Sequence, residues 1–548
     1  MSGQTKLYVI RIKGMTCEGC ARTISEHLQK KGILHSEVDF SAGMARVELN
    51  PEQLTIQQVV EWVNSIGPYR VTDVQEYDSH HGTGKHLVIL GGGSAAFAAA
   101  IAAKDFGVQV TMINAGLPPG GTCVNVGCVP SKLFIRAAEA LQRSRHVPFP
   151  GIEARGKLKD FRLIVRHKQH LVKELRRSKY TDLLSGMDHV NLVEGWGTLV
   201  DGHTVEINGR RIQGDAILIA TGARPSVPPI PGLDEVNYLT NETVYELQKL
   251  PESLIVLGGN YIGLENAQLF ARFGVRVTVV ELLPDILPSE TPDVAGELRH
   301  HLEREGIRFV TSFETREVRT RKGRIILEGK QGNSRLQLEG ERLLVATGRS
   351  PNTERIGADR VDLPLDDRGF LKVDPFLETK KKRIFGAGDV IGPPMFVYAA
   401  AYEGKLAVQN AFSGTKKKRK EADLPWVIFT DPQVAGVGLD ERQAAEKGLD
   451  AEVAVLSLKD VPRSIVAGDT RGFLKLIRDR SNDRLLGARI VAPEGGELVM
   501  ELAMAIRYGI PVAELRDMPH PYLTLSEGIK LAAITFSRPV NELSCCAT

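Results

Sequence analysis

The sequence predicts an α/β protein of several domains, and three observations carry that reading. A buried-type strand, His86-Leu87-Val88-Ile89-Leu90, runs into Gly91-Gly92-Gly93-Ser94-Ala95-Ala96 and an alanine-rich helix. The same grammar returns at Ser253-Leu254-Ile255-Val256-Leu257, followed by Gly258-Gly259-Asn260-Tyr261-Ile262-Gly263 and a helix expected from Glu265. Each start places backbone N–H groups and a helix N-terminus under a pyrophosphate, so the chain carries two Rossmann-like, dinucleotide-type units. The third observation is that the six cysteines fall in three close pairs: Cys17/Cys20, Cys123/Cys128 and Cys545/Cys546. Thiolates are soft ligands and carry disulfide redox chemistry, so this spacing points to thiol traffic rather than to loop-closing staples.

Length and charge bound the rest. A chain of 548 residues is too long for one core. With 70 Lys+Arg against 67 Asp+Glu, nothing overall calls for nucleic acid or a membrane surface. The run Lys416-Lys417-Lys418-Arg419-Lys420 reads as a solvated loop. Residues 1–14 lack the pattern of a signal peptide, and glycines break every strongly apolar stretch before it could span a bilayer. These readings place the protein in the cytoplasm, where exposed thiols stay reduced.

Along the chain, residues 7–12, 32–40, 45–49 and 69–74 read as strands, with helices over 18–31 and 55–66. Together they make a ferredoxin-like βαββαβ unit, drawn at 1–72. Residues 73–85 are polar, contain His80 and His81, and read as a linker. The first Rossmann-like domain takes 86–235 and returns at 351–424, with the second inserted at 236–350. From 425 to 548 the strands (427–429, 452–458, 473–478, 485–491) and a helix (495–508) suggest a separate α+β domain for assembly, ending in the Cys-Cys tail.

The segment Gly120-Gly121-Thr122-Cys123-Val124-Asn125-Val126-Gly127-Cys128-Val129-Pro130-Ser131-Lys132 carries the chemistry. Four residues separate its cysteines on a turn opening into a helix, and the helix N-terminus and Lys132 favour thiolate. The segment resembles the redox-active signature of the flavin-dependent pyridine nucleotide–disulfide oxidoreductases, over about residues 86–548. The resemblance implies FAD, NADH or NADPH, and a two-fold homodimer. It implies Cys128 as the thiol against the flavin, Cys123 as the interchange thiol, and Glu265 paired with Lys132. Ala220-Thr221-Gly222 and Ala346-Thr347-Gly348-Arg349 resemble the turns leaving each nucleotide domain, and Phe385-Gly386-Ala387-Gly388-Asp389 the second flavin motif, where the aspartate contacts the ribityl chain. Cofactor contacts are therefore expected from Gly91, Gly93, Ala96, Gly121, Thr122, Lys132, Thr221, Gly222 and Asp389, and from Gly258, Gly263, Glu281 and Gly348.

Departures from the pattern redirect the reading. Asn114 stands where an acid would hold the flavin ribose, and Asn260 replaces the middle glycine of the second motif, a position for a residue tolerant of unusual backbone angles. Glu281, after Val277-Thr278-Val279-Val280, accepts from a free ribose 2′-OH and repels a 2′-phosphate, favouring NADH, although Arg272 and Arg276 are close in sequence. In His520-Pro521-Tyr522-Leu523-Thr524-Leu525-Ser526-Glu527, Tyr522 occupies the place of the family's base histidine. A tyrosine of ordinary pKa is a poor base near neutrality, which argues against an organic disulfide substrate.

Tyr-Leu-Thr with the Ser-Cys-Cys tail resembles the mercury(II)-reducing branch of the family. Gly14-Met15-Thr16-Cys17-Glu18-Gly19-Cys20 resembles the loop of heavy-metal-associated domains, without separating copper(I), zinc(II) and mercury(II). The resemblance implies reduction of Hg(II) to Hg(0), with small thiols as co-ligands. Cys17/Cys20 would capture the ion, Cys545/Cys546 of the other subunit would ferry it, and Cys123/Cys128 would hold it beside Tyr261 and Tyr522. Two other readings stay open: a dihydrolipoyl or disulfide oxidoreductase with a fused metal-binding unit, and a non-enzymatic soft-metal carrier.

Overall fold

The computed structural model describes residues 6–31, 33, 35–40, 43–50, 53–77, 84–539 and 542. His80, His81, Cys545 and Cys546 lie outside the described residues. The chain divides into two compact units, the first made of Met1–Gly121, Tyr180–Ala223 and Pro351–Arg419, the second of Thr122–Lys179, Arg224–Ser350 and Lys420–Thr548.

In the first unit, strands His35–Asp39, Met44–Leu49, Lys6–Lys13 and Arg70–Tyr77 lie side by side in that order, all antiparallel. Helices Glu18–Lys30 and Ile56–Ser65 cover one face, and Ile10, Ile24, Leu28, Val47, Val59 and Val63 close the core between them. Thr55 and Gln58 cap the second helix reciprocally, which fixes its start. The last strand reaches Tyr77, into the stretch read from sequence as linker. Its composition is polar, but each residue from Asp73 to Tyr77 finds a register partner on Lys6–Lys13, so ladder pairing overrides composition.

The same unit holds a parallel sheet in the order Ile384–Gly386, Ala216–Ile219, His86–Leu90, Gln109–Asn114, Val190–Glu194. Its strands are nearly continuous apolar runs because both faces are covered. Helices Ser94–Ala103 and Val397–Phe412 meet so closely that a Cβ on Gly404 would lie 2.1 Å from the Ala95 carbonyl oxygen. The alanine-rich composition of the first helix serves that approach.

Among the described residues three sheets lie wholly within the second unit. A parallel one runs Arg308–Val310, Arg276–Val280, Ser253–Leu257, Arg342–Val345. An antiparallel one, Phe313–Arg321, Arg324–Gln331 and Ser334–Gly340, was not anticipated from the sequence. The C-terminal sheet runs Trp426–Ile428, Gln433–Gly438, Leu485–Ala492, Phe473–Asp479, Ala451–Ser457, and its second strand was also missed. Helix Gly495–Tyr508 packs on that sheet through Leu498, Val499, Leu502, Ala503 and Ala505. On its other side Met500, Met504 and Tyr508 recur every four residues and are exposed, an apolar stripe. No helix among the described residues is long and apolar enough to cross a membrane.

The helix after the second glycine turn spans Tyr261–Arg272, four residues earlier than expected. Asn260 is the reason. Its backbone is extended (φ −108°, ψ −174°), and its side chain accepts from the Tyr261 N–H at 2.9 Å. The residue serves as an N-cap rather than as a carrier of positive φ.

Candidate active site and metal-capture site

Cys123 and Cys128 are built from two successive helices, Gly121–Asn125 and Cys128–Arg143. Cys123 therefore sits in a short helix of its own, not in an open turn. Gly127 joins them because a Cβ there would lie 2.9 Å from the Thr122 carbonyl oxygen. Cys128 is the first residue of its helix, where unsatisfied N–H groups favour negative charge. Both cysteines are free thiols and half-buried.

Their proton is shared unequally. The Cys123 S–H donates to Cys128 and, against burial and with help from Lys132, lowers the Cys128 thiol to about 7. The same bond, burial and the Cys128 charge push the Cys123 thiol up. The pair is thus a thiolate at Cys128 beside a thiol at Cys123. Lys132 Nζ pairs with Glu265 Oε2 at 2.8 Å and lies 4.4 Å from the Phe429 ring centre. Glu265 Oε1 accepts from the Phe429 N–H at 2.9 Å, so one buried carboxylate ties the redox helix to the strand end at Phe429. Gln268 continues the connection, accepting from the Asp431 N–H and donating to its carbonyl.

Tyr261 opens helix Tyr261–Arg272 and stacks on Trp426, with ring centres 6.1 Å apart and planes inclined by 14°. Burial raises its pKa, so its hydroxyl stays protonated at neutral pH. Trp426 lies 5.5 Å from the Arg489 guanidinium, whose Nε pairs with Glu290 at 2.6 Å. The glycines of this turn are needed for close approach: a Cβ on Gly263 would lie 2.0 Å from the Gly258 carbonyl oxygen. Glu281 Oε2 accepts from the Gly259 N–H at 2.7 Å and Oε1 from Leu283 at 2.9 Å, which holds the carboxylate at the turn. Arg272 is buried with Glu305 and Asp431, and Arg276 faces Glu252 at the opposite end of its strand from Glu281. Gly348 accepts from the Ser226 N–H, and its neighbour Thr347 donates to the Ser226 carbonyl.

Tyr522 is 48% exposed. Beside it Leu523 has φ +60°, and its N–H donates to Glu527 Oε2 at 3.1 Å. Glu527 therefore holds the loop backbone next to Tyr522. His520 is close in sequence, but its Nε2 faces Glu501 at 2.8 Å and its Nδ1 the Met518 carbonyl at 3.0 Å.

In the first unit, Gly91, Gly93, Ala96 and Gly121 form a tight cradle. A Cβ on Gly91 would lie 2.1 Å from the Ala220 carbonyl oxygen, and one on Gly121 2.8 Å from the Gly93 Cα. No described side chain caps the first turn of helix Ser94–Ala103, and Ala96 is fully buried against the sheet. Such a turn fits the pyrophosphate of a dinucleotide. Thr221 and Gly222 are pinned to Asn352, which donates to both carbonyls and accepts from the Thr221 hydroxyl. Asn114 is buried and donates to the Leu117 carbonyl at 3.0 Å, with its amide oxygen against Gly92.

Cys17 and Cys20 bring their sulfurs to 3.7 Å. The motif residues each have a task. Gly14 (φ +97°) lets the loop approach Pro68, Met15 packs on the core, and the Thr16 N–H and hydroxyl both reach Cys20 Sγ at 3.5 Å. The largest contribution comes from a residue the sequence reading missed. Tyr69 hydrogen-bonds Cys20 and, with Thr16, lowers that thiol to about 6. Tyr69 is 49 residues from Cys20, and only its position at the head of the fourth strand could have hinted at it.

Comparison with known proteins agrees with this geometry. Residues 85–404 match the pyridine nucleotide–disulphide oxidoreductase family, 424–533 its dimerisation domain and 9–68 the heavy-metal-associated domain. A mercuric reductase of Lysinibacillus sphaericus is 37% identical over 98% of this chain and 99% of its own length. One of Streptomyces lividans is 43% identical over 85% of this chain and 99% of its own length. Among solved structures, the HOCl-induced flavoprotein disulfide reductase RclA of Escherichia coli gives a TM-score of 0.73 at 29% identity, over 82% of this chain and 99% of that one. A free dithiol at a helix start, in a chain that also carries two dinucleotide turns, is the equipment of a flavin-linked dithiol oxidoreductase. The chain belongs to the mercuric reductase branch of the pyridine nucleotide–disulphide oxidoreductase family.

Proposed function

We propose that the protein reduces thiolate-bound Hg(II) to Hg(0) at the expense of NAD(P)H, as a cytoplasmic homodimer. The reaction balances as Hg(SR)2 + NAD(P)H giving Hg(0), NAD(P)+, two RS− and H+. The observation that carries the reading is the state of the C-terminal loop. Tyr522 stands in the base position, Glu527 is engaged with the Leu523 N–H, and both His520 nitrogens are engaged elsewhere. Reducing an organic disulfide needs a proton delivered to the leaving thiol. Reducing a bis-thiolate metal ion releases thiolates and needs no such acid, so this loop suits the metal substrate.

FAD, when bound, supplies two-electron chemistry between the nicotinamide and the dithiol. Gly91, Gly93, Ala96, Gly121, Thr122, Thr221, Gly222, Lys132 and Asp389 would hold it; Gly258, Gly263, Glu281 and Gly348 would hold the nicotinamide nucleotide. The chain's own residues do the rest. Cys128 provides a thiolate near neutral pH, and Cys123 keeps its proton until a metal displaces it. Lys132 balances the charge on Cys128, while Glu265 keeps Lys132 from moving off. Tyr261, protonated and stacked on Trp426, screens the nicotinamide side, and Tyr522 lines the metal side. Cys17 and Cys20 take up Hg(II) from small thiols by ligand replacement, and Cys545/Cys546 of the second subunit pass it to the dithiol.

Glu281 favours NADH, because neither Arg272 nor Arg276 is placed to meet a 2′-phosphate. The exposed stripe Met500, Met504, Tyr508 is the surface a second copy would cover. The test is Hg(II)-dependent oxidation of NADH and NADPH in excess small thiol, with detection of mercury vapour. A soft-metal carrier would bind Hg(II) without vapour, and a disulfide reductase would turn over an organic disulfide and survive loss of Cys545 and Cys546.

A further inference from the structure

The first unit buries a carboxylate that none of the assignments above uses. Glu403, in helix Val397–Phe412, is 2% exposed. Its Oε2 accepts from the Gly388 N–H at 2.8 Å, and its Oε1 from Arg419 Nη1 at 3.0 Å. Arg419 belongs to the basic run read from sequence as solvated, yet its guanidinium turns inward, and its backbone N–H donates to the Pro375 carbonyl at 2.7 Å. Lys416 of the same run pairs with Glu378. Lys416, Lys417, Lys418 and Lys420 are exposed, as a solvated loop requires, and Arg419 is the residue of the run that departs from that reading.

A buried carboxylate is costly unless it is paired and fully hydrogen-bonded, so a function is to be sought in what it holds. It holds Gly388. That residue has φ +77° and ψ −161°, a backbone region essentially restricted to glycine, and a Cβ there would crowd Ala400 and Ala95 at 3.2 and 3.4 Å. The next residue, Asp389, starts a short 3-10 turn just past strand Ile384–Gly386. That strand ends on the same side of the parallel sheet as His86–Leu90, and Ala95 belongs to the first turn of the helix behind the glycine cradle. Ligands of such sheets bind outside the carboxyl ends of the strands. The direction in which Asp389 leaves Gly388 therefore decides whether its carboxylate faces the cofactor.

We propose that Glu403, held by Arg419, is a positioning residue for FAD: it fixes the Gly388 backbone and so aims Asp389 at the flavin. This rests on the assignment of Asp389 to FAD. Arg419 is the lever by which the basic loop reaches the cofactor, because it pairs with Glu403 Oε1 while the Gly388 N–H uses Oε2.

The experiment is titration of the full-length apoprotein with FAD, read by flavin fluorescence, together with the visible flavin spectrum and the melting temperature of the apoprotein. Glu403→Ala is expected to weaken FAD binding about tenfold or more, the loss of a hydrogen bond to a charged acceptor. Glu403→Gln keeps an oxygen for the Gly388 N–H and is expected to recover affinity to within about threefold of the parent. Asp389→Ala is expected to weaken FAD as well, and the KM for NADH of reloaded Glu403→Ala to stay unchanged. Parental FAD affinity in Glu403→Ala, with Asp389→Ala impaired, overturns the positioning role. Parental affinity in Asp389→Ala overturns the assignment beneath it. If Glu403→Ala does not fold, Arg419→Gln decides: weaker FAD at an unchanged apoprotein melting temperature supports the proposal, and unchanged affinity overturns it.

Discussion

Lys132 Nζ and Glu265 Oε2 stand 2.8 Å apart, on helices Cys128–Arg143 and Tyr261–Arg272, and act on the same thiol with opposite sign. Lys132 lowers the Cys128 thiol, and Glu265 raises it. Lys132→Met is therefore expected to move the Cys128 titration to higher pH, and Glu265→Gln to move it lower. The pH dependence of alkylation of the two-electron-reduced protein by iodoacetamide measures both. A common direction for the two variants would contradict the electrostatic account.

The Cys123 S–H is the largest influence that keeps Cys128 near 7. Thiolate is the form present above that value and is lost as pH falls through it. Cys123→Ala removes the donor, so the alkylation midpoint should rise from about 7 toward the ordinary thiol range. A midpoint that stays in place would mean that the helix start and Lys132 suffice.

At the metal-capture loop, Tyr69→Phe removes the leading hydrogen bond to Cys20 and should raise that thiol from about 6. Hg(II) or Cu(I) must then displace a proton at neutral pH, and affinity for the metal should fall as pH drops from 8 to 6 more steeply than in the parent. Competition titration with a chromophoric chelator at both pH values reads this. Thr16→Val should give a smaller change of the same sign, since its contacts to Cys20 contribute less.

Glu281 is fixed by two backbone N–H groups, so its carboxylate is held at the turn where the proposed ribose contact would lie. Glu281→Ala is expected to lower the ratio of kcat/KM for NADH over NADPH by about tenfold, the worth of one charge contact in the ribose pocket. Steady-state kinetics with both nucleotides checks it. A parent enzyme that prefers NADPH would overturn the assignment outright.

Much of the fold was legible because it is written in local signals. Two strand–glycine–helix starts, a C-x-x-C loop in a βαββαβ unit and a thirteen-residue redox segment fix most elements without tertiary information. The losses have physical causes. Strand Gln433–Gly438 (Gln-Val-Ala-Gly-Val-Gly) is rich in small residues because Gly436 must pass the Trp426 ring and Gly438 the Leu486 carbonyl, which hides its strand character. The four lysines of the basic run are exposed as charge predicts, but charge alone cannot reveal that Arg419 turns in to Glu403, sixteen residues back on a helix. Asn260 stands out in sequence for its backbone tolerance, whereas it is its side chain that does the capping. Tyr69, Trp426 and Phe429 reach the site residues only through folding, from strands far away in sequence.

In the proposed reaction the dithiol at Cys123 and Cys128 passes electrons to a metal ion and not to a disulfide. The most direct measurement is anaerobic mixing of the NADH-reduced, FAD-loaded protein with Hg(II) in excess small thiol, with volatile mercury collected against NADH consumed. One Hg(0) for each NADH oxidised, lost in Cys128→Ser, is the expected result. NADH oxidation without mercury vapour, or brisk turnover of an organic disulfide in its place, would contradict it.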